Sequence, residues 1–178
     1  MADISQFISK YQEFNSTFKA TSLDDSNDVS VCRDESQSVI NFDEIVKDIY
    51  PDSNNRPKSF DAVYVYKDNI YCIEFKNQKS SKIDNREIKE KLEDGISELS
   101  KIIAKLNIQK NRYNFIFCVV YKKCKEPFDS YKCGIGKSKV LFGLEKYKHQ
   151  TIFQDILTNN VEFFTKQFKK LTTKELVC

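Results

Sequence analysis

The stretch FDAVYVYKDNIYCIEFKNQ, residues 60–78, contains two apolar runs around a short polar turn. Its alternating pattern and its aromatic and β-branched residues predict two strands, over 60–66 and 70–76, joined as a hairpin. Charged side chains are uncommon in half-buried strands, yet Asp61 opens the first run, and an acid and a lysine lie inside the second. We therefore take this hairpin as the candidate site and as the centre of the fold.

The three charges are predicted to converge on one face of the hairpin. Residues two apart share a strand face, so Glu74 and Lys76 point the same way. A two-residue turn at Asp68 and Asn69 places Asp61 opposite Lys76 on that face, whereas a three-residue loop without a bulge turns it away. Facing carboxylates repel each other unless a cation lies between them, and oxygen ligands suit Mg²⁺. A lysine beside such a metal can orient a water or offset charge on a phosphate.

An acid at the start of one strand, followed by acid–any–lysine on the next, resembles the signature of the PD-(D/E)XK nuclease superfamily, which has the restriction-endonuclease-like fold. The matching residues are Asp61 and then Glu74-Phe75-Lys76, with Phe60 in place of the family's proline. The resemblance implies a nuclease that hydrolyses phosphodiester bonds. It implies that Asp61, Glu74 and the Phe75 carbonyl bind Mg²⁺ or Mn²⁺ and that Lys76 positions the attacking water.

Many members of this superfamily add an acid from the helix before the hairpin. A helix is predicted here over 34–50, and its acidic candidates are Glu35 and Glu44. The apolar stripe of this helix extends backward to Glu35, whereas Glu44 faces solvent, so we expect Glu35 to be the fourth catalytic residue. Beyond the lysine, the residues expected to touch nucleic acid are Gln78, Lys79 and Lys82.

Helical spacing of apolar residues also predicts helices over 4–18, 84–106 and 152–171. YNFIFCVVY, residues 113–121, predicts a central strand covered on both faces, and KVLFGL, residues 139–144, predicts a further strand. The fold class is therefore α/β, with a mixed central sheet flanked by helices. The resemblance implies a restriction-endonuclease-like core (αβββαβ), with an extra N-terminal helix and a C-terminal helix.

A chain of 178 residues without an evident linker favours one domain. Within it, 1–33 is predicted to form an N-terminal helix and loop, and the core spans about 34–122. Residues 123–178 are predicted to form a basic loop, a strand and the C-terminal helix. The core has no evident first strand between Pro51 and Ser59.

The basic side chains are concentrated in one part of the sequence. Residues 110–148 hold ten basic and three acidic side chains, which is compatible with a polyanionic partner. On charge alone, a solvated lysine-rich surface is the simpler interpretation. The loop of this region interleaves its lysines with Phe128 and Tyr131, and aromatic rings can stack on unpaired bases. The lysines expected to contact phosphates there are Lys123, Lys125 and Lys132.

Six scattered cysteines without a CxxC pair, and a single histidine, argue against a zinc site. With no secretory signal and no long apolar run, they predict a reducing, cytoplasmic setting and no membrane partner. The expected substrate is DNA, and RNA remains open, as do a homodimer and an inhibitor or complex partner protein. The alternative is a catalytically inactive protein of the same fold that binds nucleic acid or acts as a structural subunit.

Overall fold

The structure is a computed structural model and describes residues 3–123, 140–148 and 153–178. Its strands are β1 (Asn15–Thr17), β2 (Leu23–Asp24), β3 (Val29–Ser30), β4 (Ser38–Asn41), β5 (Ala62–Tyr66), β6 (Asn69–Lys76), β7 (Asn114–Tyr121) and β8 (Phe153–Asn160). Its helices are α1 (Ile4–Lys10), α2 (Phe18–Thr21), α3 (Phe42–Ile49), α4 (Asn85–Lys105) and α5 (Val161–Thr172). Within these residues, one six-stranded sheet has the order β1-β4-β5-β6-β7-β8, and β2 and β3 form a separate hairpin.

Antiparallel and parallel pairing meet at β6. The pairs β1–β4, β4–β5 and β5–β6 are antiparallel, whereas β6–β7 and β7–β8 are parallel. Helix α4 lies in the chain between β6 and β7, and such a crossover is what a parallel connection requires. The predicted α/β class, with a mixed sheet flanked by helices, is confirmed.

Helices cover both faces of this sheet. One face packs against α1, α3 and α4, and the other packs against α2 and α5. Neighbouring residues of β7 alternate between the two cores: Phe117 and Val119 belong to the first, and Cys118 and Val120 to the second. The predicted coverage of this strand on both faces is therefore confirmed.

Helix α4 is the longest described helix, and its N-cap is Asp84, the first residue of the range predicted for this helix. The Asp84 carboxylate accepts a hydrogen bond from the Arg86 backbone N–H at 2.8 Å. Buried residues along α4 include Ile88, Leu92, Leu99, Ile102 and Ile103. Gly95 lets this helix approach Phe60, because a Cβ at position 95 would lie 2.6 Å from the Phe60 ring.

The predicted helix over 34–50 is wrong in its first half. Strand β4 occupies Ser38–Asn41, and α3 begins only at Phe42. Asn41 caps this helix, since its side-chain oxygen accepts a hydrogen bond from the Glu44 N–H at 3.1 Å. Because β4 precedes α3, the chain order here differs from the predicted αβββαβ core.

The other predicted boundaries also change where tertiary pairing competes with helical spacing. The helix over 4–18 stops at Lys10, and the chain then enters β1, which pairs with β4. The helix over 152–171 divides at Asn160 into strand β8 and helix α5. Residues 140–144 contain no strand, which contradicts the predicted strand over 139–144 in its described part.

The turn between β5 and β6 lies one residue earlier than predicted. Tyr66 pairs with Asn69, so the turn residues are Lys67 and Asp68, and Lys67 takes a positive φ of 53°. Asn69 belongs to β6 because it also pairs with Asn114 of β7. The turn still has two residues, so the predicted faces are kept, but Asp61 lies next to the Ala62–Ile73 pair, and hence opposite Glu74.

Two cysteines are joined. Cys32 and Cys178 form a disulfide with a Cα–Cα distance of 4.1 Å, which the expectation of a reducing setting did not predict. Cys72 and Cys118 are free and buried. Among the described residues, no helix combines the length and the apolar character needed to cross a membrane.

Candidate active site

The carboxylates of Asp61 and Glu74 meet at one point beneath α4. Lys91 Nζ lies 2.7 Å from Glu74 Oε1 and 2.9 Å from Glu74 Oε2. The same nitrogen lies 3.4 Å from Asp61 Oδ1. Asp61 is oriented by the Phe75 backbone N–H, which donates to Oδ2 at 2.6 Å. The two acids therefore share a single ammonium group.

Lys76 completes the predicted trio. Its Nζ lies 3.1 Å from Glu74 Oε1 and 2.6 Å from Glu87 Oε1 on α4. Burial alone lowers the pKa of Lys76, but the neighbouring Glu74 and Glu87 hold it above its usual value. The charged Lys76 ammonium is therefore held between the buried Glu74 and the more exposed Glu87.

Burial dominates the electrostatics of the two acids. It raises the pKa of Glu74 to about 8, and the adjacent Asp61 charge adds to that rise against the pull of Lys91 and Lys76. Burial also raises the pKa of Asp61, with Lys91 opposing it. Burial by itself lowers the pKa of Lys91, but Glu74 and Asp61 raise it well above its usual value. The acids thus strongly favour a cation in the space between them.

Asp43 is the acid of α3 whose charge reaches this site. Its Oδ1 accepts a hydrogen bond from Ser59 Oγ at 2.5 Å. The Asp43 charge raises the pKa of Asp61, and the Lys91 charge in turn lowers the pKa of Asp43. Burial raises its pKa, but the hydrogen bond from Ser59 and the ion pair with Lys47 hold it below the usual range. Asp43 was not among the predicted site residues.

The preferred fourth residue, Glu35, is not at the site. It lies in the segment before β4, is exposed, and pairs with Lys19 at 2.5 Å. This prediction is wrong because α3 begins at residue 42 and no helix extends back to position 35. The other candidate, Glu44, is exposed and pairs with Lys47, as its predicted solvent-facing position implies.

A cleft opens beside the acids at the end of β6. It has a volume of about 220 Å³ and is lined by Thr21, Ser22, Leu23, Asp24, Asp61, Phe75, Lys76, Asn77 and Gln78. One side thus comes from α2 and β2, and Asn77 ties the two sides together by donating to Asp24 at 3.0 Å. The cleft gives a ligand direct access to Asp61 and Lys76.

The predicted nucleic-acid contacts are dispersed. Gln78 is exposed and lines the cleft, and Lys79 and Lys82 are exposed on the turn between β6 and α4. Lys123 is exposed beyond the end of β7 and pairs with Glu162 of α5. Lys125 and Lys132 lie outside the described residues.

The inner pair of acids, Asp61 and Glu74, offers oxygen atoms that could hold a divalent metal. Glu74 Oε1 is buried and accepts no well-aligned hydrogen bond, although two ammonium nitrogens lie near it. A buried carboxylate oxygen of this kind suits a hard cation. Within residues 3–123, 140–148 and 153–178, however, no three His, Cys, Asp or Glu side chains are grouped as a metal site. Further ligands would therefore come from the backbone, such as the Phe75 carbonyl, and from water.

Comparison with known proteins adds no relative: no family model matches the chain, and no curated protein or solved structure is detectably similar to it.

Two α4 residues at this site, Glu87 and Lys91, were not predicted as site residues. They are four residues apart and lie directly before the buried Ile88 and Leu92, so they flank the apolar stripe. Charges flanking such a stripe are common on solvent-facing helices, which makes this signal weak. For Asp43 a usable signal exists, because Asn41 followed by Glu44 three residues later is typical of a helix start.

Proposed function

We propose that this protein is a divalent-metal-dependent nuclease that hydrolyses phosphodiester bonds, with DNA as its substrate. The observation that carries the proposal is the convergence of Asp61 and Glu74 on one cationic position, with Lys76 fixed beside it. The adjoining cleft supports it, because a phosphate group can enter next to Asp61 and Lys76.

Each residue has a defined task under this proposal. Asp61, Glu74 and the Phe75 carbonyl hold the metal, and the Phe75 N–H fixes the Asp61 carboxylate in the required orientation. A bound divalent ion supplies Lewis acidity towards water and phosphate oxygens. Lys76 orients the attacking water, and Glu87 holds the Lys76 ammonium at 2.6 Å so that it stays at the mouth of the site.

The test combines cleavage with metal binding. Circular double-stranded DNA, circular single-stranded DNA, linear DNA and RNA are incubated with the protein in Mg²⁺, in Mn²⁺ or in chelator. Wild type should cut at least one DNA form only with metal, and its melting temperature should rise by several degrees at saturating metal. Asp61→Asn should lose both responses.

Lys76→Ala separates chemistry from metal binding. It should keep the metal-induced rise in melting temperature but lose cleavage by about a hundredfold or more, since its task is in the chemistry. Asp48→Asn, an exposed change on α3, serves as the control and should resemble wild type.

A second candidate function is a non-cutting protein of this fold that binds nucleic acid or acts as a structural subunit. The Lys91 ammonium favours it, because this group already offsets part of the negative charge of the two acids without a metal. Absence of both cleavage on every substrate and thermal response to metal in wild type would select this function.

A further inference from the structure

Lys91 is placed unusually for a lysine at the edge of an apolar stripe. Such side chains generally extend so that the charged end reaches water. The Lys91 side chain instead retains only 18% of its exposure and ends between the two acids. It therefore occupies the position that a metal would take, with all three nearby carboxylate oxygens within 3.4 Å.

The charges around Lys91 nearly balance without any metal. The acids Asp61, Glu74 and Glu87 face the ammonium groups of Lys76 and Lys91. Removing one partner from such a buried set leaves an uncompensated charge, which is strongly destabilising. Lys91 thus offsets part of the charge of the two acids in the metal-free protein.

An ammonium and a divalent ion cannot share these oxygens. Metal–oxygen contacts are close to 2.0–2.5 Å, and Lys91 Nζ is already 2.7 Å from Glu74 Oε1. Resting on the function proposed above, we propose that Lys91 is a built-in competitor of the metal, whose ammonium must leave the space between Asp61 and Glu74 before a divalent ion binds. Lys91 thereby sets the metal concentration at which the site becomes loaded.

One substitution at position 91 should lower stability without metal and raise metal affinity. Lys91→Met keeps the length and the apolar part of the side chain but removes the charge. Without metal, this variant should melt at a lower temperature than wild type, because the buried Glu74 and the half-buried Asp61 then face each other without the ammonium between them. With metal, the difference should vanish, and Mn²⁺ should bind about tenfold tighter or more, since no competing cation has to be displaced.

The experiment measures Mn²⁺ and Mg²⁺ affinity by titration calorimetry and melting temperature in chelator and in metal, on the full chain. Lys101→Met is the matched control, because it removes an ion pair with Glu98 on the same helix away from the site. Its metal affinity should equal that of wild type. The double variant Lys91→Met/Asp61→Asn should regain metal-free stability, since one of the facing charges is gone.

The outcomes separate this proposal from the proposed function. If wild type and Lys91→Met bind metal equally tightly, Lys91 is no competitor, while the nuclease remains. If wild type neither binds metal nor cuts but Lys91→Met binds Mn²⁺, competition by Lys91 is supported and the nuclease function fails. If no variant binds metal, both proposals fail. A double variant as unstable as Lys91→Met would assign Lys91 to packing and overturn its role as a competitor.

Discussion

Glu74 is fully shielded from solvent, so its carboxylate depends on neighbouring side chains for all of its charge compensation. Two lysines supply this compensation. Lys76 lies on β6, the same strand as Glu74, and Lys91 lies on α4. Each of these lysines also contacts a second acid, Glu87 or Asp61. Single substitutions in this network therefore change several interactions at once and should not be additive.

Substitution of Asp43 tests which acid from the region before the hairpin contributes to metal binding. The negative charge of Asp43 acts on Asp61 and Lys91, so Asp43→Asn should weaken metal binding. At a screened distance, one charge is worth about 1 kcal/mol, which corresponds to about fivefold in affinity. Metal titration and initial cleavage rates measure the effect.

Two matched variants accompany Asp43→Asn. Glu44→Gln changes the next residue of the same helix, and Glu35→Gln changes the residue that the sequence favoured. Both acids are exposed and paired elsewhere, so both variants should keep wild-type metal affinity and rates. A loss with Glu35→Gln equal to that with Asp43→Asn would contradict the placement of Asp43 at the site.

Helix α4 has to lie close to the hairpin for Glu87 and Lys91 to reach the acids. Gly95 permits that approach, because a Cβ at position 95 would lie 2.6 Å from Cδ1 of the buried Phe60. The Phe60 ring also stacks on Phe42 at a centroid distance of 4.5 Å, so it has little room to move. The position of α4 over the site therefore depends on a single small residue.

Gly95→Ala should lower the free energy of unfolding by about 1–3 kcal/mol, the usual cost of overpacking a core. Urea denaturation measures this change. Ser97→Ala, at an exposed position of the same helix, should stay within about 0.5 kcal/mol of wild type. If both variants unfold at the same urea concentration, α4 does not press on Phe60.

Sequence patterns predicted α4 and the hairpin but not β8, and the reason is local. A bulge at the start of β8 pairs Phe115 with Phe153 and Ile116 with Asp155. Gln154 is therefore the extra residue, and its side chain accepts a hydrogen bond from the Phe115 N–H at 2.5 Å. The bulge places Phe153 and Ile156, three residues apart, in the same core, and this spacing imitates a helix.

Strand β4 was missed for a different reason. Val39 and Ile40 belong to opposite cores, as expected in a strand, but Val39 is also three residues before Phe42 and fits the stripe of α3. Only pairing with β1 and β5 defines β4. Such long-range pairing cannot be predicted from the pattern of a few neighbouring residues. The wrong choice of Glu35 followed from this missing strand.

At the scale of the whole molecule, part of the candidate site could be predicted and part could not. The hairpin acids and Lys76 follow from strand parity, which survived a one-residue error in the turn. Lys91 and Glu87 come from a separate helix, and their meeting with the acids depends on how α4 packs on the sheet. Packing of one element on another is not encoded in the period of either element.

The Cys32–Cys178 disulfide gives a whole-molecule prediction. It joins positions 146 residues apart, and a link of such length can stabilise a fold by about 2–4 kcal/mol, mainly by restricting the unfolded chain. Reductant should therefore lower the free energy of unfolding of wild type. Without reductant, the Cys178→Ser variant should already have a free energy of unfolding as low as that of reduced wild type. Adding reductant should not lower it further.

Chemical denaturation with and without reductant measures both effects. Cys118→Ser is an unsuitable control because Cys118 is buried in the sheet, so the reductant response itself provides the comparison. An unchanged wild-type unfolding curve in reductant would show that the link contributes nothing to stability.

The same disulfide has a consequence for a chain that has been cut. Residues 32 to 178 form one covalent ring, closed by the bond between the two sulfurs. A protease that cleaves the backbone once anywhere inside this ring opens it but releases no fragment. The nicked protein would migrate as one band on a non-reducing gel and separate into two bands only after reduction, so a non-reducing gel alone would not reveal the damage.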